Sequence, residues 1–332
     1  MDTSSGVPSV DILAVLDPAN STHHNMTAQN APIVNDAVAG QPAGPLPERT
    51  SPSVTIGVPV YNGESTLRPA LDSLLAQTFG DFELIISDNA SVDGTERICR
   101  EYAVKDGRIR YMRQSTNIGV GANFRFVLDE ARCKYFMWAA SDDVWSLDFV
   151  ALNCGFLEDH PDYVCSISPV RFEGRDFDEK QMGDRSLDDE RFDLRLRKFF
   201  GLWHANGAFY SLMRTQVIKK TEWVDAKFLG ADWAIILYLA RQGKLKRLEK
   251  GWLQLGIKGA SNSGGFLRRY RTSPLDFVAP FWKMTLAALG LSVGAPWRSR
   301  LAIFWACILM NLWAHKVQIH EKLYRAYKSI SP

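Results

Sequence analysis

Two adjacent carboxylates, Asp142 and Asp143, follow a short apolar run that has the length of a buried strand. A hard divalent cation such as Mg²⁺ or Mn²⁺ is bound by one or two carboxylates and completes its coordination with the phosphate oxygens of a substrate. A lone Asp-Asp pair is more often a helix cap, and this pair could cap a helix beginning near Leu147. The pair therefore predicts a metal site only together with other polar residues nearby.

Two further polar segments follow predicted strands and could join the carboxylate pair in one site. Residues 59–64 end the first apolar run of the ordered chain, and residues 88–95 end the second. In an open parallel sheet, ligands bind beyond the carboxyl ends of the strands, so one topology would bring all three segments together. Taken alone each segment is weak evidence, because Asp88 and Asp93 are also typical of turns and helix caps.

The elements that must position these segments alternate along the chain. The pattern predicts strands at residues 54–60, 82–87, 109–113 and 135–140, and helices at residues 64–78, 94–104 and 119–131. Short connections between alternating strands and helices predict an α/β fold with a mostly parallel central sheet covered by helices on both faces. Beyond Trp145 the pattern is looser, with a helix at 149–158, strands at 163–170 and 203–213, and a helix at 233–242.

The order of these motifs resembles that of the inverting family-2 glycosyltransferases, which have the GT-A fold and include bacterial surface-polysaccharide enzymes. The resemblance extends over residues 54–243 and is strongest up to Trp145. It rests on a Pro-x-Tyr-Asn turn at residues 59–62, an Asp-Asn-x-Ser-x-Asp-Gly-Thr turn at 88–95, an Asn-x-Gly element at 117–119, and the Ser-Asp-Asp segment at 141–143.

The resemblance implies transfer of a hexose, with inversion, from a nucleotide-sugar donor to a saccharide or lipid-linked acceptor, assisted by Mn²⁺ or Mg²⁺. It places Asp88 towards the base, and Asp142 and Asp143 at the ribose–diphosphate and the metal. The family often has an acid where this chain has Ala140, so which of the two aspartates ligates the metal is open. The implied donor-binding residues are Pro59, Tyr61, Asn62, Glu64, Asp88, Asn89, Asn117, Gly119, Asn123, Ser141 and Asp142.

An inverting transferase also needs a general base that takes the proton of the acceptor hydroxyl. In the family this is commonly the Asp of a Glu-Asp pair before a helix, and the resemblance assigns the role to Asp232, with Ala231 where the Glu usually stands. Asp232 could equally cap that helix. Trp203, His204 and Asn206 are predicted to bind the acceptor, because aromatic faces stack on sugar rings; the alternative is a buried Trp beside an unrelated His.

Charge and composition divide the chain into three parts. Residues 1–52 read as a flexible tail, residues 53–260 as the transferase domain with donor (53–145) and acceptor (146–260) halves, and residues 261–332 as a basic, Trp-rich helical tail. Residues 241–332 hold 16 of the 39 Lys and Arg, which favours an anionic partner such as a phospholipid surface. The helical tail is expected to lie in the membrane interface; the alternative is packing on the protein's own core or on a second copy, as in a homo-oligomer.

Several other classes are disfavoured. The first strand is followed neither by G-x-G-x-x-G nor by a phosphate-binding loop with Lys-Ser/Thr, which argues against a dehydrogenase and a phosphotransferase. The basic excess lies beside Trp-rich apolar runs, so no nucleic-acid partner is expected. Five unpaired cysteines and no visible export signal predict a cytoplasmic protein, peripheral at the inner face of the membrane. The non-enzyme alternative is a degenerate domain that binds saccharide or scaffolds an assembly.

Overall fold

A central sheet and a small second sheet organise the computed structural model, which describes residues 52–172, 185–201, 206–256 and 270–330. Within these residues the central sheet has seven strands in the order β3-β2-β1-β4-β8-β6-β9, and the second has the order β5-β10-β7. The strands are β1 (Val54–Val60), β2 (Phe82–Asp88), β3 (Ile109–Arg113), β4 (Tyr135–Trp138), β5 (Val144–Trp145), β6 (Tyr163–Ile167), β7 (Val170–Phe172), β8 (Leu212–Arg214), β9 (Lys244–Arg247) and β10 (Leu253–Leu255).

Six of the seven described strands of the central sheet run in one direction. Strands β1 to β4 pair in parallel, β8 is antiparallel to both β4 and β6, and β9 returns parallel to β6. This arrangement confirms the predicted α/β class with a mostly parallel sheet. The first three crossovers put the carboxyl ends of β1, β2 and β4 at one edge, which is where the predicted polar segments begin.

Helices cover both faces of the sheet, so its strands are apolar on both sides. The helices are α1 (Leu67–Leu75), α2 (Thr95–Lys105), α3 (Val120–Glu130), α4 (Phe149–Asp159), α5 (Phe192–Phe200), α6 (Thr215–Ile218), α7 (Ala231–Gln242), α8 (Leu275–Val278), α9 (Trp282–Leu291) and α10 (Trp297–Ile330). One core contains side chains of α1, α2 and α4, and the other contains side chains of α3, α5, α7, α9 and α10. Every residue of β1 is buried between them.

The small second sheet holds the chain just after the carboxylate pair. Strand β5 begins at Val144, and its Trp145 pairs with Leu253 of β10. The neighbouring backbones are joined as well, because the Ser146 amide donates to the Trp252 carbonyl and the Trp252 amide donates to the Ser146 hydroxyl, at 3.0 and 2.9 Å. This sheet therefore ties residues 142–146 to a segment more than a hundred residues further along the chain.

The C-terminal helices pack against the protein's own core with one face. Met284 and Ala288 of α9 and Ile303 and Cys307 of α10 are buried in the core that contains α7. The hydroxyl of Ser299 in α10 donates to Asp193 of α5 at 2.6 Å. The alternative that this tail packs on the protein's own core is therefore observed for the buried face of these helices. No helix among the described residues has an apolar stretch long enough to cross a bilayer.

Two strand predictions in the second half of the chain differ from the structure. The strand predicted at 203–213 is a 3₁₀ helix at Asn206–Tyr210 followed by β8, with residues 202–205 outside the described part. A short apolar run does not distinguish these conformations, and Asn206-Gly207 favours a turn. The strand predicted at 163–170 divides into β6 and β7, with Pro169, which lacks an amide proton, between them.

Gly230, at the start of α7, gives a test of how the tail packs on the domain. Its φ is +84°, and a β-carbon would lie 3.1–3.2 Å from Met284 and Phe281. We expect Gly230→Ala to lower the free energy of unfolding by about 1–3 kcal/mol, because the left-handed backbone and the close neighbours both disfavour a side chain. Urea denaturation of the variant and the wild type measures this change in the free energy of unfolding.

Gly290 in α9 is the matched control, since a β-carbon there would meet no atom within 4 Å. Gly290→Ala is expected to be neutral or to stabilise the protein by about 0.5–1 kcal/mol, as alanine does in a helix. Equal losses in the two variants would contradict the packing described here.

Candidate active site

The turn after β1 and the turn after β2 hold each other in place. The Asn62 amide donates to the Ser91 hydroxyl and the Val92 amide donates to the Asn62 side chain, both at 2.9 Å. The Gly63 amide donates to the Thr95 hydroxyl at 2.8 Å. Helix α1 therefore begins only at Leu67, three residues later than the pattern predicted, because the residues before it form this double turn.

Glu64 joins the first turn to the start of α2. Its carboxylate accepts a bond from the Gly94 amide at 3.0 Å and forms an exposed ion pair with Arg97. In return, the Glu64 amide donates to Asp93 at 3.1 Å. Glu64 thus lies where the sequence placed it, with a carboxylate that binds the N-terminus of a helix, which is a favourable position for a negative charge. Tyr61, three residues before it, is about half exposed at the rim.

Asp88, at the end of β2, is completely buried, and other groups of the chain bind both of its oxygens. The Ser91 amide donates to Oδ1 at 2.8 Å, and the Tyr111 hydroxyl donates to Oδ2 at 3.0 Å. The Arg113 guanidinium also donates to Oδ2 and to the Ser91 carbonyl. Burial and the charge of Asp88 raise the pKa of the Tyr111 phenol, which keeps it a donor.

A third turn, at residues 117–119, is fastened to the end of β2 by Asn89. The Asn89 side chain donates to Asn117 Oδ1 at 3.0 Å and accepts a bond from the Ile118 amide at 2.8 Å. Gly119 donates its amide to Asn117 Oδ1 at 2.9 Å and has a φ of +91°, a conformation that favours glycine. The structure therefore brings Asn89, Asn117 and Gly119 together, and their role in donor binding stays a prediction.

Asn123 lies beneath this turn and not at its surface. Its side chain is 2% exposed, accepts a bond from the Ser87 hydroxyl at 2.6 Å and donates to the Ser87 carbonyl at 2.9 Å. These bonds attach α3 to β2. Pro59 is likewise buried, within β1. Both residues were predicted to bind the donor, and the structure places their side chains in the framework that supports the turns.

The Ser-Asp-Asp segment after β4 lies against two glycines. A β-carbon at Gly63 would be 3.4 Å from the Ser141 hydroxyl, so the first turn and the Ser-Asp-Asp segment are neighbours. A β-carbon at Gly256 would be 2.2 Å from the Asp142 carbonyl oxygen, which only glycine avoids. The Gly256 amide also donates to Asp143 Oδ1 at 2.9 Å. Asp142 and Ser141 are partly buried, and Asp143 is 3% exposed.

Asp143 is the less compensated carboxylate of the pair. Its Oδ2 is buried and has no hydrogen-bond partner within the described part of the chain. Burial raises the pKa of Asp143 to about 7; the charge of Asp142 acts in the same direction, and the Gly256 bond opposes it. Within residues 52–172, 185–201, 206–256 and 270–330, no three His, Cys, Asp or Glu form a group that could hold a metal ion by themselves. The donor set fits a divalent ion held by two carboxylates and by substrate oxygens.

Asp232 and Tyr210 extend this site into the second half of the chain. Helix α7 begins at Ala231 with Gly230 as its N-cap residue, so Asp232 lies in the first turn and is not the cap. Burial, together with the charges of Asp143, Asp142 and Asp232, raises the pKa of the Tyr210 phenol well above its ordinary value. The charges of all three carboxylates therefore act on one tyrosine hydroxyl, which stays protonated.

Of the predicted acceptor residues, Trp203 and His204 lie outside the described residues. Asn206 begins the 3₁₀ helix that ends at Tyr210. Tyr210 itself was missed by sequence reasoning, as were Arg113 and Gly256. An aromatic residue in an apolar run carries no signal of its own, and the contact between Gly256 and Asp143 joins residues 113 positions apart.

Comparison with known proteins identifies the class. Residues 55–221, half of the 332-residue chain, match the family model described as glycosyl transferase family 2. The chain therefore belongs to glycosyltransferase family 2. The glycosyltransferase GlyA of Streptococcus pneumoniae is 27% identical over 264 residues, which cover 76% of this chain and 36% of GlyA. An uncharacterized protein of Mycobacterium tuberculosis is 40% identical over 114 residues, which cover 33% of each chain.

Solved structures agree on the fold. S. aureus TarS 1–349 in complex with UDP-GlcNAc superposes with a TM-score of 0.60 and 19% sequence identity, covering 76% of this chain and 70% of that one. This likeness confirms the predicted GT-A-like fold. The chain spans only about a third of the length of the curated relatives named above.

The two asparagines near the third turn are expected to respond differently to mutation. Asn123→Ala should lower the free energy of unfolding by about 1–3 kcal/mol, because it leaves the buried Ser87 groups without their partner. Asn117→Ala removes an exposed side chain that water can replace, so its effect should stay within about 0.5 kcal/mol. Urea denaturation of both variants compares them. Equal losses would show that Asn123 does not brace the turns.

Proposed function

We propose that this chain is an inverting, metal-assisted glycosyltransferase that moves a sugar from a nucleotide-diphosphate sugar to a saccharide or lipid-linked acceptor. The observation that carries the proposal is the buried Oδ2 of Asp143, beside Asp142 and at the sheet edge where the three turns meet. Family membership supports it, as does the transferase named among the relatives. Residues 53–145 would form the donor half and residues 146–260 the acceptor half.

The donor would bind on surfaces that are already rigid. The turns at residues 61–64, 88–95 and 117–119 are joined by hydrogen bonds within the chain, so little conformational entropy is lost on binding. The oxygens of Asp88 already accept bonds from Ser91 and Arg113. Asp88 would therefore define the base pocket by fixing the positions of Ser91 and Arg113.

Asp142 and Asp143 would hold Mn²⁺ or Mg²⁺ together with the diphosphate of the donor. When bound, the ion offsets the negative charge that grows on the departing nucleoside diphosphate. The Gly256 amide orients Asp143 by its bond to Oδ1, which leaves the buried Oδ2 available. Tyr210 stays protonated beside these carboxylates and would donate a hydrogen bond within the site.

Asp232 would act as the general base for a single displacement. The acceptor hydroxyl attacks the anomeric carbon from the face opposite the diphosphate, its proton passes to the Asp232 carboxylate, and the bond to the diphosphate breaks. One displacement inverts the configuration at that carbon. The carboxylate lies in the first turn of a helix, where the peptide dipoles favour its charged, proton-accepting form.

Donor binding is expected to depend on metal and on Asp143. We would titrate UDP-, GDP- and dTDP-sugars into the protein by calorimetry, with Mn²⁺ and with EDTA. One donor should bind in the presence of metal, and Asp143→Asn should weaken that binding by about tenfold or more, since a metal ligand is lost. Asp129→Asn, an exposed carboxylate of α3 with an ion pair to Arg125, is the control and should bind normally.

The result for the wild-type protein decides between the two function classes. No binding of any donor to the folded protein would favour the degenerate saccharide-binding or scaffolding domain. Such a domain would lack some of the acidic residues of an active enzyme. This chain has alanine at positions 140 and 231, where the family often has acids.

Replacing the proposed base should separate turnover from donor binding. Asp232→Asn is expected to lower the rate of donor hydrolysis, with water as the acceptor, by about 10²–10⁴-fold, the usual contribution of a positioned base. Its donor affinity should change less than about twofold, because the base contacts the acceptor and not the donor. Asp225→Asn, an exposed residue of the loop before α7, should leave both quantities unchanged. Full turnover by Asp232→Asn would assign the base elsewhere.

A further inference from the structure

The first five turns of α10 are apolar on two opposite sides, and the protein covers only one of them. The covered side contributes Ile303, Cys307, Met310 and Ala314 to the core. A helix that is apolar all round is normally buried all round. The uncovered side, called the outer face of α10 below, consists of Trp297, Leu301, Phe304, Trp305, Leu309 and Leu312, which are 38–69% exposed.

The outer face is a continuous strip. At about 100° per residue, its six members fall within an arc of about 140°, centred opposite the core-facing residues. With a rise of about 1.5 Å per residue, the strip from Trp297 to Lys316 is about 28 Å long. Single exposed apolar residues are normal in soluble proteins, but a contiguous apolar strip of this size indicates an interaction surface.

The charges around the strip have one sign. Between Asp276 and Glu321 the chain contains no Asp or Glu, but it contains Lys283, Arg298, Arg300 and Lys316. Arg298 and Lys316 are 18 residues apart, which is five helical turns, so they lie on the same side of the helix at its two ends. Both residues are exposed and fall within the apolar arc, one at each end of the strip. The strip therefore has a cation at each end and two tryptophans within it.

We propose that the outer face of α10 docks on an anionic phospholipid surface, with the helix axis parallel to the membrane plane. The apolar side chains enter the boundary between headgroups and acyl chains, Trp297 and Trp305 lie at headgroup depth, and Arg298 and Lys316 contact lipid phosphates. This proposal does not depend on the transferase activity.

A second copy of the chain is a poorer partner for the same face. Two copies paired about a twofold axis would present the same surface to each other, so the cations of one copy would meet those of the other. The face has no acidic residue to compensate them. An anionic lipid surface supplies the opposite charge along the whole length of the strip.

Vesicle co-sedimentation of the full chain tests the proposal. The probes are vesicles of phosphatidylcholine alone and of phosphatidylcholine mixed with phosphatidylglycerol, at low and high salt. The wild-type protein should bind the mixed vesicles, and bind them less at high salt because the charges are screened. The triple variant Trp305→Gln, Leu309→Gln, Leu312→Gln should bind about tenfold or more weakly, since it removes exposed apolar groups and keeps good helix formers.

Two further variants make the result specific. Val104→Gln on α2 is the matched control, because Val104 is 89% exposed but isolated from the strip, and it should bind like the wild type. Arg298→Gln, Lys316→Gln should weaken binding to the mixed vesicles by about fivefold per charge and leave binding to phosphatidylcholine unchanged. Urea denaturation should give unchanged unfolding for all variants, since the replaced side chains face solvent.

Two outcomes would overturn the proposal. Wild-type protein that stays in the supernatant with the mixed vesicles would exclude lipid docking. Light scattering could instead show a dimer in the wild type and a monomer in the triple variant. Together with a lack of vesicle binding, that result would assign the outer face to a second copy of the chain.

Discussion

The carboxylate of Asp143 is buried, and a buried negative charge is unfavourable unless positive charge or hydrogen-bond donors surround it. The backbone amide of Gly256 partly compensates this charge, and burial raises the pKa of Asp143 to about 7. The remaining architecture maintains this unfavourable arrangement. The central sheet brings three turns to the same edge, and the small sheet holds the chain immediately after the carboxylate. Part of the stability contributed by the two cores thus offsets the cost of burying this carboxylate.

Asp88, the other buried carboxylate of the site, has the opposite surroundings. Asp88 is fully buried, yet Arg113, Tyr111 and the Ser91 amide bind both of its oxygens. Its charge is therefore compensated by other groups of the chain, and it fixes the positions of Ser91 and Arg113. Two aspartates of one sheet thus differ in how many donors surround each carboxylate.

Local sequence patterns predicted the first half of the fold, but they did not predict the contacts between distant segments. Strands β1 to β3 lie where their apolar runs are, because periodicity and turn residues are encoded within each segment. The motif spacing likewise located the three turns. Tyr210 and the Arg113–Asp88 pair could not be found this way, since each depends on which strands become neighbours. The tail shows the same limit: its composition indicated apolar helices, but only the packing distinguishes the face that meets the core from the face that does not.

Phe281, at the start of α9, stacks on Trp233 with ring centroids 5.6 Å apart, next to Asp232. The same aromatic residue lies against Gly230, where the backbone turns into α7. The tail is therefore one wall of the second half of the domain and not an appendage to it. Exchanging tails between members of the family would consequently also exchange the surface on which the start of α7 rests. A chimaera with a foreign tail would need new partners for Gly230 and Trp233, so these two segments can only be replaced together.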